Sequence, residues 1–230
     1  MAKAVVLFSG GLDSTTVLAM SHAQGDELCA LTFDYGQRHR REITSAERLA
    51  RYYGVVEHKV LHLDLGQIGG SSLTANMPLP EGRDLGEMSH QIPSTYVPFR
   101  NSILLSLAVA YAEVAGADVI LAGMNSLDYS GYPDCRPAYL DAFNQLVSLG
   151  SKACVEDGRQ IVVRAPLLYW DKVRIVQEGM RLGVPYEQTW SCYRGEELAC
   201  GVCDSCQLRL KGFREAGFHD PLPYRENIQR

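Results

Sequence analysis

Short β-forming runs alternate with longer helical stretches through the first 180 or so positions, and this alternation restricts the fold more than any other feature. The segments "KAVVLF" (3–8), "ELCALTFDY" (27–35), "VVEHKVLHLDL" (55–65), "DVILAG" (118–123) and "IVVRAPL" (161–167) read as strands. Between and after them, "DSTTVLAMSHA" (13–23), "REITSAERLARYY" (41–53), "RNSILLSLAVAYAEVA" (100–115), "PAYLDAFNQLVSL" (137–149) and "DKVRIVQEGMRL" (171–182) read as helices, with Gly54, Gly116 and Gly183 as stops. Strands separated by helices of this length form βαβ units, so the expectation is an α/β fold: a Rossmann-like parallel sheet with helices on both faces. The rhythm breaks at Trp190, which divides the chain into a main domain, 1–189, and a small C-terminal module, 190–230. Ligands of such sheets bind beyond the carboxyl ends of the strands, which singles out the loops 9–15, 34–40 and 123–136. The stretch 64–94, rich in Gly, Ser, Pro and Met and without periodicity, reads as a lid or as disordered chain.

Composition excludes some classes. Hydrophobic residues make up 46% of 230, enough for a sizeable core. No apolar run approaches the ~20 residues that cross a bilayer, and Gly-Gly-Leu-Asp interrupts any signal-peptide core, so the expectation is a cytoplasmic protein with no membrane partner. A net charge of −5 weighs against a nucleic-acid partner. Arg194, Arg209, Lys211 and Arg214 offer only a thin basic edge.

The first strand stops at Ser9-Gly10-Gly11-Leu12-Asp13-Ser14-Thr15. Two glycines permit positive φ and close backbone approach. The N–H groups of residues 11 to 15 would then face outward at a helix N-terminus, where the partial positive charge suits a phosphate. Ser9, Ser14 and Thr15 add hydroxyls, and Asp13 sits awkwardly beside a phosphate unless Mg²⁺ lies between them. An ordinary strand-to-helix turn with an Asp or Ser cap accounts for the same residues.

Four of the seven cysteines crowd into C-x7-C-x2-C-x2-C at Cys192, Cys200, Cys203 and Cys206. Four thiolates satisfy a tetrahedral Zn²⁺ and leave no open position, so this reads as a structural zinc site. An iron–sulfur cluster takes the same ligands, and spacing alone does not separate the two. Cys29 reads as a small core residue, and Cys135, in a polar loop, as the thiol to examine for reactivity.

Ser-Gly-Gly-x-Asp-Ser after an N-terminal strand resembles the pyrophosphate loop of the N-type ATP pyrophosphatases. With "TFDYGQRHRRE" (32–42), "TYVPFRN" (95–101), "SGYPDCRP" (130–137) and the cysteine cluster, the chain from about residue 4 to 215 closely resembles the QueC family. It departs in two places: Phe99 stands where the family usually has glycine, and the first cysteine gap is short.

The resemblance implies ATP with Mg²⁺ as co-substrate, 7-carboxy-7-deazaguanine and ammonium as the other substrates, a nitrile product used in queuosine biosynthesis, and a homodimer. It places the ATP phosphates on Phe8, Ser9, Gly10, Gly11, Leu12, Asp13, Ser14, Thr15, Thr16, Val17 and Leu18, with Asp13 helping Mg²⁺. Arg38 and His39 would meet the substrate carboxylate or the α-phosphate, or else begin a solvated basic helix. Arg100, at a helix start, opposes the dipole and so calls for an anion or an acid partner, with Asp118 and Glu42 as structural candidates. Lys172 either reaches a phosphate or is a surface lysine. Tyr129, Tyr132 and Asp134 would line a purine-like pocket, or form a turn without a ligand. Competing readings are a related enzyme acting on tRNA, a nucleotide-binding regulator without turnover, and a zinc-containing nucleic-acid adaptor.

Overall fold

The computed structural model describes residues 2–38, 40–82, 92–127 and 132–225; His39 and Tyr129 fall outside them. Strands β1 (Lys3–Leu7), β2 (Glu27–Asp34), β3 (Glu57–His62), β4 (Val119–Ala122) and β5 (Val162–Arg164) form one sheet in the order β3-β2-β1-β4-β5. All four pairings are parallel. The main helices are α1 (Leu12–Ala23), α2 (Arg41–Tyr52), α3 (Arg100–Ala115), α4 (Pro137–Gly150), α5 (Lys152–Val155), α6 (Lys172–Arg181) and α7 (Asp204–Glu215).

A buried parallel sheet needs apolar residues on both faces, and β1 supplies them by simple alternation. Val5 joins the core beneath α3 and α4, with Leu31, Leu105, Ile120, Phe143 and Val163. Ala4 and Val6 join the opposite core beneath α1, α2 and α6, with Leu18, Leu49 and Ile175. From β1 the chain builds outward to β2 and β3, then returns through α3 to place β4 on the other side of β1. The sheet therefore reverses direction between β1 and β4, and a crevice opens at the carboxyl ends of those strands.

The tail packs into this frame. Phe213 of α7 belongs to the same core as Ile175 of α6. A Cβ on Gly212 would lie 3.0 Å from Lys172 Cβ, so the two helices cross where the side chain is absent. Arg209, only 2% exposed, donates to both oxygens of Asp220 (2.8 and 2.9 Å), to Thr189 Oγ1 (2.6 Å) and to the Tyr186 carbonyl (2.9 Å). The basic edge expected from the sequence is thereby broken: Arg209 is internal, and Arg194 pairs with Glu81.

The stretch 64–94 has structure where it is described. A 3₁₀ turn covers Leu65–Gln67, Ser71, Ser72 and Leu73 are buried, and Glu81 makes an antiparallel bridge to Cys203.

Phe99 is the one non-glycine residue with positive φ (+55°) among the described residues, and 64% of it is exposed. A left-handed backbone strains an L residue by about 1–2 kcal/mol, partly offset by the greater unfolded-state freedom of glycine. Phe99→Gly is expected to raise stability by about 0.5–1 kcal/mol, measured by urea denaturation; a loss of stability would show that the exposed ring makes a needed contact.

Candidate active site

The crevice at the sheet reversal is a cavity of about 320 Å³. Phe8, Ser9, Gly11, Leu12, Asp13 and Ser14 line one side, and Thr32, Phe33 and Tyr35 come from the end of β2. Glu42 of α2, Arg100 and Asn101 of α3, Gly123 and Asn125 after β4, Lys172 of α6, and Trp190, Ser191 and Tyr193 of the tail complete it.

Gly10 makes the loop possible. Its φ is +74°, and an added Cβ would lie 2.7 Å from the Glu42 carbonyl oxygen and 2.9 Å from Ala46 Cα. Gly10 thus lies against the backbone of α2, and its carbonyl accepts the Trp190 N–H at 2.9 Å. Gly11 is the N-cap of α1, with extended backbone (φ −82°, ψ 174°) and no side-chain cap. Gly123 closes in from β4, where a Cβ would stand 3.0 Å from Ser14 N.

The first backbone donors of a helix have no partner within it. Here Gly11 N is taken by Ser9 Oγ (3.3 Å) and Thr15 N by the Gly11 carbonyl (3.1 Å), while the N–H groups of Leu12, Asp13 and Ser14 have no acceptor among the described residues. Ser9 Oγ and Ser14 Oγ lie 3.0 Å apart. The inner part of the predicted stretch faces the core instead: Thr15 Oγ1 bonds the Gly11 carbonyl (2.7 Å), Thr16 Oγ1 bonds Leu12 O (2.9 Å) and Tyr186 OH (2.8 Å), and Val17 and Leu18 are fully buried. The open, donor-rich helix start is therefore shorter than the 8–18 run of the sequence reading.

Lys172 is held at the helix start rather than lying on the surface. Its Nζ donates to both oxygens of Asp13, at 2.7 and 2.9 Å. Asp171, just before it, caps α6 by accepting Arg174 N–H at 2.8 Å, which fixes where Lys172 emerges. Arg100 finds partners other than Asp118, which pairs with Arg159 at 2.8 Å. It donates to Tyr35 OH at 3.4 Å, with its guanidinium 5.7 Å from that ring's centre. Burial pushes the Glu42 carboxyl up to about 7, against the pull of Arg100 and of Gln37, whose Nε2 donates to Glu42 Oε1 at 2.9 Å.

Arg38 points elsewhere. Its guanidinium donates to the carbonyls of Ala75 (2.7 Å) and Met77 (2.6 Å) and does not line the cavity. Tyr132 lines the cavity and bonds Thr95 Oγ1 (3.1 Å). Asp134 accepts Asn101 N–H at 3.2 Å through Oδ2, while its buried Oδ1 has no partner among the described residues. Cys135 is buried and accepts from Asn101 Nδ2 at 3.3 Å; burial pushes its thiol up to about 11, so it is protonated and unreactive at neutral pH. Sequence reasoning missed Gly123, Asn125, Trp190, Ser191 and Tyr193. The flagged loop 123–136 pointed to the first two, but nothing local marks the tail residues as cavity wall.

Cys192, Cys200, Cys203 and Cys206 are buried, with all four sulfurs within 4.8 Å of one another. Tetrahedral zinc at about 2.3 Å from each sulfur requires sulfurs just under 4 Å apart, so the cluster fits a metal. Backbone N–H groups of Arg194, Cys200 and Cys203 approach Cys192 Sγ, Cys192 Sγ and Cys200 Sγ at 3.5, 3.3 and 3.4 Å, which favours thiolate ligands. Trp190 Nε1 donates to the Cys192 carbonyl at 3.0 Å, so the cluster and the cavity wall are one piece.

An α/β sheet reversed at β1/β4, with an uncapped glycine-rich helix start and two cations facing it, defines a protein of the Rossmann-like class whose crevice suits an anion. A family profile described as "Queuosine biosynthesis protein QueC" matches residues 3–217, and the chain belongs to that family. A relative from Thermoplasma acidophilum, named 7-cyano-7-deazaguanine synthase, is 56% identical over 222 residues, covering 96% of this chain and 92% of its own. One of the same name from Nostoc sp. is 53% identical over 223 residues, covering 96% of this chain and 97% of its own. Among solved structures, a 4-thiouridine synthetase–RNA complex with bound ATP aligns with a TM-score of 0.46 and 18% identity over 97% of this chain and 47% of that one, too distant to carry an argument. No helix among the described residues is long and apolar enough to cross a membrane.

Gly10→Ala would bring both left-handed strain and overlap with α2 backbone. It is expected to cost about 2–5 kcal/mol, read by urea denaturation. Gly11→Ala, whose Cβ would meet Ser9 Oγ at 3.3 Å, is expected to fold near normally.

Proposed function

We propose that this protein converts 7-carboxy-7-deazaguanine and ammonia to 7-cyano-7-deazaguanine with ATP, through adenylated carboxylate and amide intermediates, as a cytoplasmic step of queuosine biosynthesis. The observation that carries this reading is one cavity in which the uncapped start of α1, Lys172 and Arg100 converge, in a chain 56% identical to a relative of that name. A carboxylate repels nucleophiles and must first acquire a leaving group. Attack of a carboxylate oxygen on the α-phosphorus of ATP expels pyrophosphate; nitrogen then adds to the acyl carbon and AMP leaves. A second activation, at the amide oxygen, lets that oxygen depart with AMP to give the nitrile.

The chain's own groups suit these demands. The N–H groups of Leu12, Asp13 and Ser14, with the Ser9 and Ser14 hydroxyls, would hold the departing pyrophosphate. Lys172 and Arg100 would face the charge that develops around the α-phosphate and acyl oxygen, where enzymes gain most. Asp13 would serve the Mg²⁺ that accompanies ATP. The division at residue 190 is one of chemistry, with the tail contributing a cavity wall. Arg38 holds the 75–77 loop, a positioning part.

The metal we assign to the cysteines is structural zinc, which would fix the turn bearing Trp190 and Tyr193 and take no part in bond making. A homodimer would cover exposed apolar side chains carried by α3, α4 and α5: Val114 and Leu149, 84% and 79% exposed, with Leu146 and Val155. The Ser151 hydroxyl and the Ala153 N–H donate to Glu113 Oε1 at 2.6 and 2.9 Å, tying the start of α5 to α3.

Purified protein given Mg-ATP and ammonium is expected to release pyrophosphate only when 7-carboxy-7-deazaguanine is added, with a nitrile product by mass spectrometry. Folded, metal-loaded protein that releases none would overturn the reading. Metal analysis is expected to find one zinc per chain and no visible iron–sulfur absorbance. Chelation should lower the melting temperature and abolish pyrophosphate release together, because Cys192 and Trp190 are bonded neighbours.

A further inference from the structure

Amide formation needs an acceptor for a proton, because ammonium has no free electron pair with which to attack. Two carboxylates line the cavity. Asp13 has both oxygens on Lys172. Glu42 has Oε1 on Gln37 Nε2 at 2.9 Å, and its Oε2 has no hydrogen-bond partner among the described residues. Gln37 is itself fixed, accepting Tyr35 N–H at 2.7 Å and donating to the Phe33 carbonyl at 3.1 Å, so the Glu42 carboxyl is held at one oxygen. Among the other titratable groups of the lining, Lys172, Arg100 and Arg209 are cations, and burial pushes Tyr35 up to about 12, the Cys135 thiol up to about 11 and Tyr132 above its usual range.

On the proposed reaction, we infer that Glu42 is the catalytic base that takes a proton from ammonium as nitrogen attacks the acyl-adenylate. One ammonium proton passes to the Glu42 carboxylate, and the freed pair forms the C–N bond. The bond from the acyl carbon to the bridging oxygen breaks, and its electron pair leaves with AMP. A second proton then departs from the new nitrogen to water, giving the neutral amide. The groups facing Glu42 are Arg100 from α3, Asp34 and Tyr35 from the end of β2, and Gln37; Arg100 and Gln37 favour the carboxylate while burial and Asp34 disfavour it. The balance leaves the carboxyl near 7, so it is a base above neutral pH and an acid below it.

The test follows amide formation at fixed total ammonium between about pH 6 and 8. The native enzyme is expected to rise with pH and level off above about 7, because Glu42 is then ionised while ammonium is still the main species. Glu42→Gln keeps an acceptor for Gln37 and is expected to lose about 100-fold or more of the ammonium rate, with the residue of activity rising in proportion to free ammonia. Hydroxylamine, already neutral at pH 7, should lose less than about tenfold in the same variant. Equal losses with both nucleophiles, an unchanged ammonium rate, or a native profile that tracks free ammonia would each overturn the assignment. Absence of acid-dependent pyrophosphate from the native enzyme would instead remove the parent reaction.

Discussion

Much of this structure depends on the contact at Gly10, where three parts of the chain meet through backbone alone. Gly10 turns with positive φ against the backbone of α2, and its carbonyl receives the Trp190 N–H. The first contact sets Glu42 beside the glycine-rich loop. The second brings the tail, and with it the cysteine cluster, to the rim of the same cavity. A side chain at this position would separate all three, since each contact has no room for a Cβ or uses the atoms beside it.

The polar chemistry of the site follows from an imbalance that the fold maintains. Three N–H groups at the start of α1 lack acceptors among the described residues, and two cations stand nearby, one held by Asp13 and the other beside Tyr35. A helix dipole and two positive side chains attract an anion, and their cost in mutual repulsion is moderated by Asp13 and Glu42. The second carboxylate is kept near neutrality by burial, so it does not cancel Arg100 fully. The two acids are thus held differently, Asp13 by a cation and Glu42 by Gln37 in a buried setting.

Regular alternation made the main architecture legible. All five strands and the five long helices before Trp190 occupy the stretches their patterns indicated, because a sheet buried on both faces tolerates only near-continuous apolar strands and leaves little freedom elsewhere. The turn at Gly10 and the clustering of the four cysteines were also legible, since tight turns and Cys-x2-Cys spacing act over short range. The extent of the open helix start was not. Thr15 and Thr16 look like donors in a string of letters, yet their hydroxyls bond the carbonyls of Gly11 and Leu12. Arg209 looked like surface charge and is buried on Asp220, eleven residues further along. Arg38, beside a flexible glycine, reads as a ligand for anions and instead clamps the carbonyls of Ala75 and Met77.

The sequence by itself determined the sheet, its crossover helices, the glycine-rich helix start and the four-thiol cluster, because each is written in periodicity or short-range spacing. Only the tertiary structure decided that Lys172 meets Asp13 across 159 residues and that Trp190 and Tyr193 wall the cavity. It also decided that Glu42 is pressed into a site where burial makes it hold its proton more tightly than a free carboxyl does. Those outcomes depend on which side chains lose water together, and that is a property of packing between distant segments, with no local pattern to announce it.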